Sequence, residues 1–160
     1  MDKYYYFVSQ LPFLTFGQGS YIDRELFLDQ ARKWLSDKDF FSVSGVSLND
    51  FYPRDGDNKV LAKYKNFERT LREEIASFRK NESHTGTSFN LNLNQGTPLE
   101  TERRLLNLRW EFIESLEQGH FFDLEILVLH FLKIQVLERL LAFDKEKGTA
   151  VFDKLCEVAG

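Results

Sequence analysis

Residues 124–143 read LEILVLHFLKIQVLERLLAF and form the longest apolar stretch of the chain. Fourteen of these 20 residues are apolar, so a helix over this stretch would have almost no polar side. A helix of this kind is typically buried at the centre of a protein. Four charged side chains interrupt the stretch, and they would be costly inside a bilayer. The stretch therefore predicts the central helix of an all-α bundle, over residues 123–147, rather than a membrane span.

The charged residues of this central helix lie on different sides of it. A buried charge normally needs a partner of opposite sign, so structural pairing is the favoured interpretation. A role in an interface is the alternative. The residues concerned are Glu125, Lys133, Glu138 and Arg139, and the candidate partners are Arg103, Arg104, Arg109 and Glu111.

A second long helix is predicted over residues 59–82. Its apolar residues recur at intervals of three and four, which places them in one stripe. The other faces carry seven Lys or Arg against three Glu, a local excess of +4 in a chain whose net charge is −4. This basic face is either a solvated surface or a docking surface for an acidic partner. The stripe consists of Val60, Tyr64, Phe67, Leu71, Ile75 and Phe78.

Start and stop signals predict three further helices, giving a bundle of about five. Asp23 can cap a helix that runs to about residue 36. Thr97 and Glu100 form a capping box around a proline, and the helix that follows should end near Gly119. Gly148 is expected to end the central helix, and a short last helix follows it.

The remaining segments are predicted to be largely irregular. The aromatic N-terminus indicates an extended piece or a short helical turn near residues 4–8. Residues 37–58 are rich in Ser, Asp and Asn, and indicate a loop with a short helical piece at 48–52. Residues 83–97 are expected to form a mobile loop, in which alternating apolar residues permit a short strand near 89–93.

Length and composition limit the function classes. A chain of 160 residues fits one domain, 1–160, with its own core. The balance of 21 basic and 25 acidic residues argues against binding to nucleic acid by phosphate neutralisation. The single cysteine, Cys156, excludes an internal disulfide framework and a four-cysteine zinc site, so the default location is the reducing cytoplasm.

The sequence contains no recognisable catalytic or cofactor-binding motif. No P-loop, nucleophile elbow or metal cluster is evident. Glu125 and His130 are five residues apart, which places them on different helix faces. His120 and Asp123 could share a metal ion, but a helix-capping Asp beside an ordinary His is the favoured interpretation. We therefore expect no enzyme activity, metal, cofactor or small-molecule substrate.

Six stretches resemble a bacterial family of uncharacterised proteins encoded among V-type ATPase subunits. The family stands where the gene for the C/d subunit of the central stalk would be expected. The C/d subunit is larger than this chain and has three related helical units, whereas no internal repeat is visible here. The stretches are residues 4–12 (YYYFVSQLP), 63–72 (KYKNFERTLR), 109–112 (RWEF), 120–125 (HFFDLE), 132–139 (LKIQVLER) and 143–148 (FDKEKG).

The resemblance implies a non-enzymatic, helical structural or assembly component of a V/A-type rotary ATPase. A more specific version of this hypothesis is a central-stalk protein like the C/d subunit. The resemblance further implies a cytoplasmic protein held at the inner membrane through the ATPase, with ATPase subunits as partners. A generic helical adaptor with an unrelated protein partner is the alternative. In a rotor-stalk component, surface aromatics and Arg side chains should supply the binding energy. The candidate partner-binding residues are Tyr4, Tyr5 and Phe7 at the N-terminus and Lys63, Arg69, Arg72 and Arg79 on the basic face.

Overall fold

The computed structural model describes residues 3–17, 23–80 and 96–159, with side chains from Tyr4 to Phe143. Over these residues the chain is all-α, with six helices and no strand. The predicted all-α class is confirmed, with one helix more than expected. The helices are α1 (Lys3–Gln10), α2 (Arg24–Trp34), α3 (Asp37–Ser44), α4 (Lys59–Arg79), α5 (Pro98–Leu116) and α6 (Leu124–Ala159).

Helix α6 is the centre of the bundle, as the apolar pattern predicts. It packs against all five of the other helices. Every residue from Leu127 to Leu137 except the partly buried His130 is buried. The predicted end at Gly148 is wrong, because α6 continues to Ala159. A glycine inside a helix costs only about 1 kcal/mol relative to alanine, so good helix formers on both sides can carry the helix through it.

The predicted helix starts are confirmed in detail. Asp23 accepts a hydrogen bond from the backbone N–H of Leu26 at 3.1 Å and caps α2. Thr97 and Glu100 form the complete capping box of α5. Asp123 accepts from the N–H of Ile126 at 3.0 Å at the start of α6. These side chains satisfy backbone donors that would otherwise lack a partner.

The structure decides between the two alternatives for the N-terminus and overturns the prediction for residues 37–44. The N-terminus forms helix α1, as the helical alternative predicts, although over eight residues rather than one short turn. Residues 37–44, predicted to be loop, form helix α3, which Ser36 caps by accepting from the N–H of Asp39. Val43 of α3 is fully buried, so tertiary packing outweighs the polar composition of this segment. The predicted helical piece at 48–52 is only a turn at its first two residues.

The predicted mobile loop at 83–97 and the strand near 89–93 fall on residues that lie outside the described ones, except for Gly96 and Thr97. Gly96 is exposed, and Thr97 is the N-cap of α5. The described helices include none long and apolar enough to cross a membrane.

Of the four charged residues considered on α6, Lys133 and Glu138 form ion pairs, whereas Glu125 and Arg139 hydrogen-bond to neutral asparagines. None of these four contacts is with a partner predicted from the sequence. Each reaches a residue from another part of the bundle, because α6 is surrounded by the other elements. Arg109, one of the predicted partners, instead binds Glu68 of α4. The observed pairs are Lys133 with Glu117 (2.5 Å), Glu138 with Arg24 (2.9 Å), Arg139 with Asn49 (3.2 Å) and Glu125 with Asn58 (3.3 Å).

Candidate interaction surface

Helix α1 has one buried face and one exposed face. At about 100° per residue, positions 4, 7 and 8 share one side of the helix while 5 and 6 point away from it. Phe7 is fully buried, and Tyr4 and Val8 are partly buried against the core. Tyr5 and Tyr6 remain 47% and 57% exposed. The helix therefore divides the aromatic N-terminus between the core and the surface.

Tyr5 and Tyr6 belong to a row of aromatic side chains that crosses three parts of the fold. The ring of Tyr6 stacks on Trp34 at the end of α2, with centroids 6.0 Å apart. Tyr5 contacts Tyr6 at 5.8 Å and Phe122, in the connection between α5 and α6, at 4.7 Å. We call the side chains of Trp34, Tyr6, Tyr5 and Phe122 the aromatic strip.

The aromatic strip is accessible to a partner. Phe122 is 50% exposed, and its neighbour in sequence, Phe121, is more exposed still. Lys33 lies 5.7 Å from the ring centroid of Trp34 and adds a positive charge at that end. Trp34 is partly buried, whereas the other residues of the strip are exposed. Clustered exposed aromatics are typical of binding surfaces, because they bury a large area with few rotatable bonds. The strip is the strongest candidate for a contact surface among the described residues.

Two of the predicted aromatic partner residues do not serve as surface residues. Phe7 is inside the core, so its prediction as a partner-binding residue is wrong. Tyr4 donates a hydrogen bond to Asp39 Oδ2 at 2.5 Å and ties α1 to α3. Burial and this hydrogen bond raise the pKa of Tyr4 to about 12. Tyr5 is exposed, as a contact residue must be. The sequence pattern does not show that Tyr6, Trp34 and Phe122 lie in the same strip.

The basic residues of α4 do not form a single patch. Lys63, Arg69 and Arg79 are exposed, but Lys63 and Arg79 point about 160° apart around the helix. Lys65, counted in the predicted basic face, is buried and lies 2.9 Å from Asp57 and 3.4 Å from Asp50. The exposed positive excess on α4 is therefore smaller than the sequence indicates.

Arg72 is part of a buried ion cluster. Its Nε donates to Glu68 Oε1 at 2.9 Å, and its guanidinium lies over the ring of Phe51. Glu68 is fully buried and binds Arg109 through two hydrogen bonds, of 2.7 and 2.8 Å. The hydroxyl of Tyr64 lies 3.1 Å from the same carboxylate. We call Glu68, Arg109, Arg72 and Tyr64 the Glu68 cluster; it joins α4 to α5.

The environment of Glu68 keeps its carboxylate ionised. Burial would raise the pKa of Glu68, but hydrogen bonds and charge from Arg109, and then from Arg72, lower it below its usual value. The same interactions raise the pKa of Arg109 against the opposing effect of burial. The sequence suggests only a surface pair between Glu68 and Arg72, because the partner on α5 is 41 residues away. A structural role explains this cluster fully.

His120, Asp123 and Glu125 place potential metal ligands within 4.8 Å of one another, and all three are partly buried. His120 Nδ1 lies 2.7 Å from Asp123 Oδ2, while the other carboxylate oxygen caps α6. Glu125 accepts a hydrogen bond from Asn58. The N-terminus of α6 carries a partial positive charge that disfavours a cation. Asp123 is therefore a helix cap, as predicted, and also forms a close pair with His120.

A comparison with protein-family models finds similarity over residues 90–158 to the family described as "Protein of unknown function (DUF2764)". The matched segment includes α5 and nearly all of α6 and covers somewhat less than half of the chain. Its description gives no function, so it does not test the resemblance to proteins encoded with V-type ATPases. No curated protein and no solved structure matches the chain.

Proposed function

We propose that the protein is a non-enzymatic helical component that binds a subunit of a bacterial V/A-type rotary ATPase. The resemblance of the six sequence stretches is what supports the ATPase as the partner. Within the ATPase, we favour a position like that of the C/d subunit. The observation that supports a binding role is the aromatic strip. A component of a rotary stalk acts by contact, and such contacts take most of their energy from a few buried aromatic and Arg side chains.

Replacing Tyr5 and Phe122 together with Ser is expected to weaken binding to the purified ATPase at least tenfold. Loss of two contact aromatics typically exceeds the 1.4 kcal/mol that corresponds to a factor of about ten. Tyr52→Ser is the matched control, because Tyr52 is 63% exposed but packs against Phe51 rather than the strip. A pull-down with the tagged full chain, quantified by titration, measures the effect.

The two possible failures of this experiment have different meanings. If the wild-type chain retains no ATPase subunit, the proposed function is wrong, and the generic adaptor becomes the better hypothesis. If the wild type binds and the double variant binds equally well, the strip is not the contact surface. Circular dichroism of each variant verifies that the fold is intact.

The exposed basic side chains of α4 provide a second prediction. We expect Arg69→Glu combined with Arg79→Glu to weaken ATPase binding while leaving the melting temperature nearly unchanged, because exposed charges contribute little to folding. Added salt should weaken wild-type binding and have a smaller effect on the double variant. Arg72 is unsuitable for this test, since a carboxylate there would face Glu68. Equal salt sensitivity of both proteins would contradict a role for these charges.

A further inference from the structure

A cavity of about 420 Å³ lies between α1, α2 and α6, away from the residues of the aromatic strip. Its walls are mostly apolar and include Phe7, Leu11, Phe27 and Ile134. Small-molecule sites in proteins are typically concave, largely apolar cavities of about 300–1,000 Å³ with a few polar groups. The cavity has the size and the lining of such a site.

His130 is a polar group of this cavity for which the described residues provide no hydrogen-bond partner. Its imidazole stacks on the ring of Phe27, with centroids 5.5 Å apart, and lines the cavity. Within the described part of the chain, neither ring nitrogen makes a hydrogen bond. Withdrawal from water, with a smaller effect of the Lys133 ammonium, lowers the pKa of His130 to about 4. At neutral pH the ring is therefore uncharged and offers one donor and one acceptor.

The charges around the cavity indicate what it can hold. Asp23, the N-cap of α2, lines it, and so do the amides of Gln10 and Gln30, whereas no Lys or Arg is among its described lining residues. An anion would face the carboxylate of Asp23 without a compensating cation. A cation would lose its hydration against apolar walls. An uncharged molecule avoids both costs.

We propose that this cavity binds an uncharged, mostly apolar small molecule whose one hydrogen-bonding group meets the imidazole of His130. The apolar body of the ligand packs between Phe7, Phe27 and Ile134. The polar group gives a hydrogen-bond partner to a ring nitrogen of the partly buried His130 that has none among the described residues. The sequence shows no sign of such a site, because its residues come from three separate segments of the chain.

The first test is a fluorescence titration with N-phenyl-1-naphthylamine, an uncharged dye whose emission rises in apolar surroundings. We expect saturable binding with one dye per chain. Leu26→Trp should weaken it at least tenfold, because Leu26 lines the cavity yet is 56% exposed, so the indole can enter without displacing the core. Leu14→Trp, at a second and partly buried lining position, should act similarly.

Controls separate the cavity from other apolar surfaces. Tyr5→Ser alters the aromatic strip and should leave dye binding unchanged, as should Phe41→Trp, which adds an indole at an exposed position on α3 outside the cavity. Circular dichroism identifies any variant that fails to fold. Absence of saturable binding, or equal dye affinity in both folded cavity variants, would overturn the proposal.

The second test examines His130 directly through displacement of the dye. In the wild type, 1-naphthol should displace the dye about three- to tenfold more effectively than 1-methylnaphthalene, as expected for one net hydrogen bond. In His130→Leu, the two competitors should become equal. If 1-naphthol kept its advantage in this variant, His130 would not be the hydrogen-bond partner of the ligand's polar group. The role proposed for His130 would then be wrong.

Discussion

Replacing Glu68 with Gln is expected to lower the free energy of unfolding by about 3–5 kcal/mol. The carboxylate of Glu68 is fully buried and is the acceptor for both hydrogen bonds from Arg109. The substituted amide would keep the shape of the side chain but would leave the Arg109 guanidinium buried without its counter-ion. Urea denaturation of wild type and variant measures the difference.

Glu73→Gln is the matched control for this substitution. Glu73 lies on the same helix but is more exposed, so its replacement should change stability by no more than about 0.5 kcal/mol. The double variant Glu68→Leu, Arg109→Met should recover much of the loss, because it removes both buried charges and the remaining Arg72 guanidinium is partly exposed to water. If Glu68→Gln were as stable as Glu73→Gln, the cluster would not hold α4 against α5.

The effect of Glu68 should also depend on pH, with a definite sign. Its pKa is lower in the folded protein than in the unfolded chain, so the unfolded chain takes up a proton first as the pH falls. The stabilisation by this carboxylate is therefore fully present above the unfolded pKa of about 4.5 and is lost as the pH falls through the folded pKa. The stability difference between wild type and Glu68→Gln should shrink over that acidic range.

The elements predicted correctly are those whose signals are local. The stripe of α4 and the capping box of α5 each lie within a few turns of helix, where spacing alone determines the outcome. The sequence does not predict helix α3, because its eight residues include several Ser and Asp. The Ser36 cap and the burial of Val43 against the bundle stabilise it as a helix. Gly148 is a weaker stop signal than predicted, since one glycine cannot break a long helix by itself.

The candidate surface is predictable only in part. The sequence indicates Tyr5 as an exposed aromatic, but the separation of Tyr5 and Tyr6 from Phe7 requires knowing that the N-terminus is helical. Phe122 is distant in sequence and reaches Tyr5 only through the packing of α1 against α6. The Glu68 cluster and the cavity beside His130 cannot be predicted from the sequence for the same reason. Their residues are far apart along the chain, and no short-range pattern indicates that they meet.

Replacing Trp110 with Ala should also destabilise the fold by about 3–5 kcal/mol. Trp110 is 4% exposed and faces the bundle interior from α5. Its ring packs against Phe16, with centroids 5.8 Å apart, and Lys133 Nζ lies 4.8 Å from its centroid. The substitution would therefore open a cavity and remove the cation–π contact between the indole and the buried ammonium of Lys133. Phe67 is only partly buried, so Phe67→Ala should cost less.

Three variants measured together test this prediction about Trp110. Trp110→Phe should lose much less stability than Trp110→Ala, because a smaller ring still fills most of the space and still faces Lys133. Phe121→Ala is the surface control: its side chain is 71% exposed, and its loss should change the free energy of unfolding by about 0.5 kcal/mol or less. Chemical denaturation gives all three values. A Trp110→Ala protein as stable as Phe121→Ala would contradict the packing of α5 on α6, since the same ring is the largest side chain that α5 buries in the core.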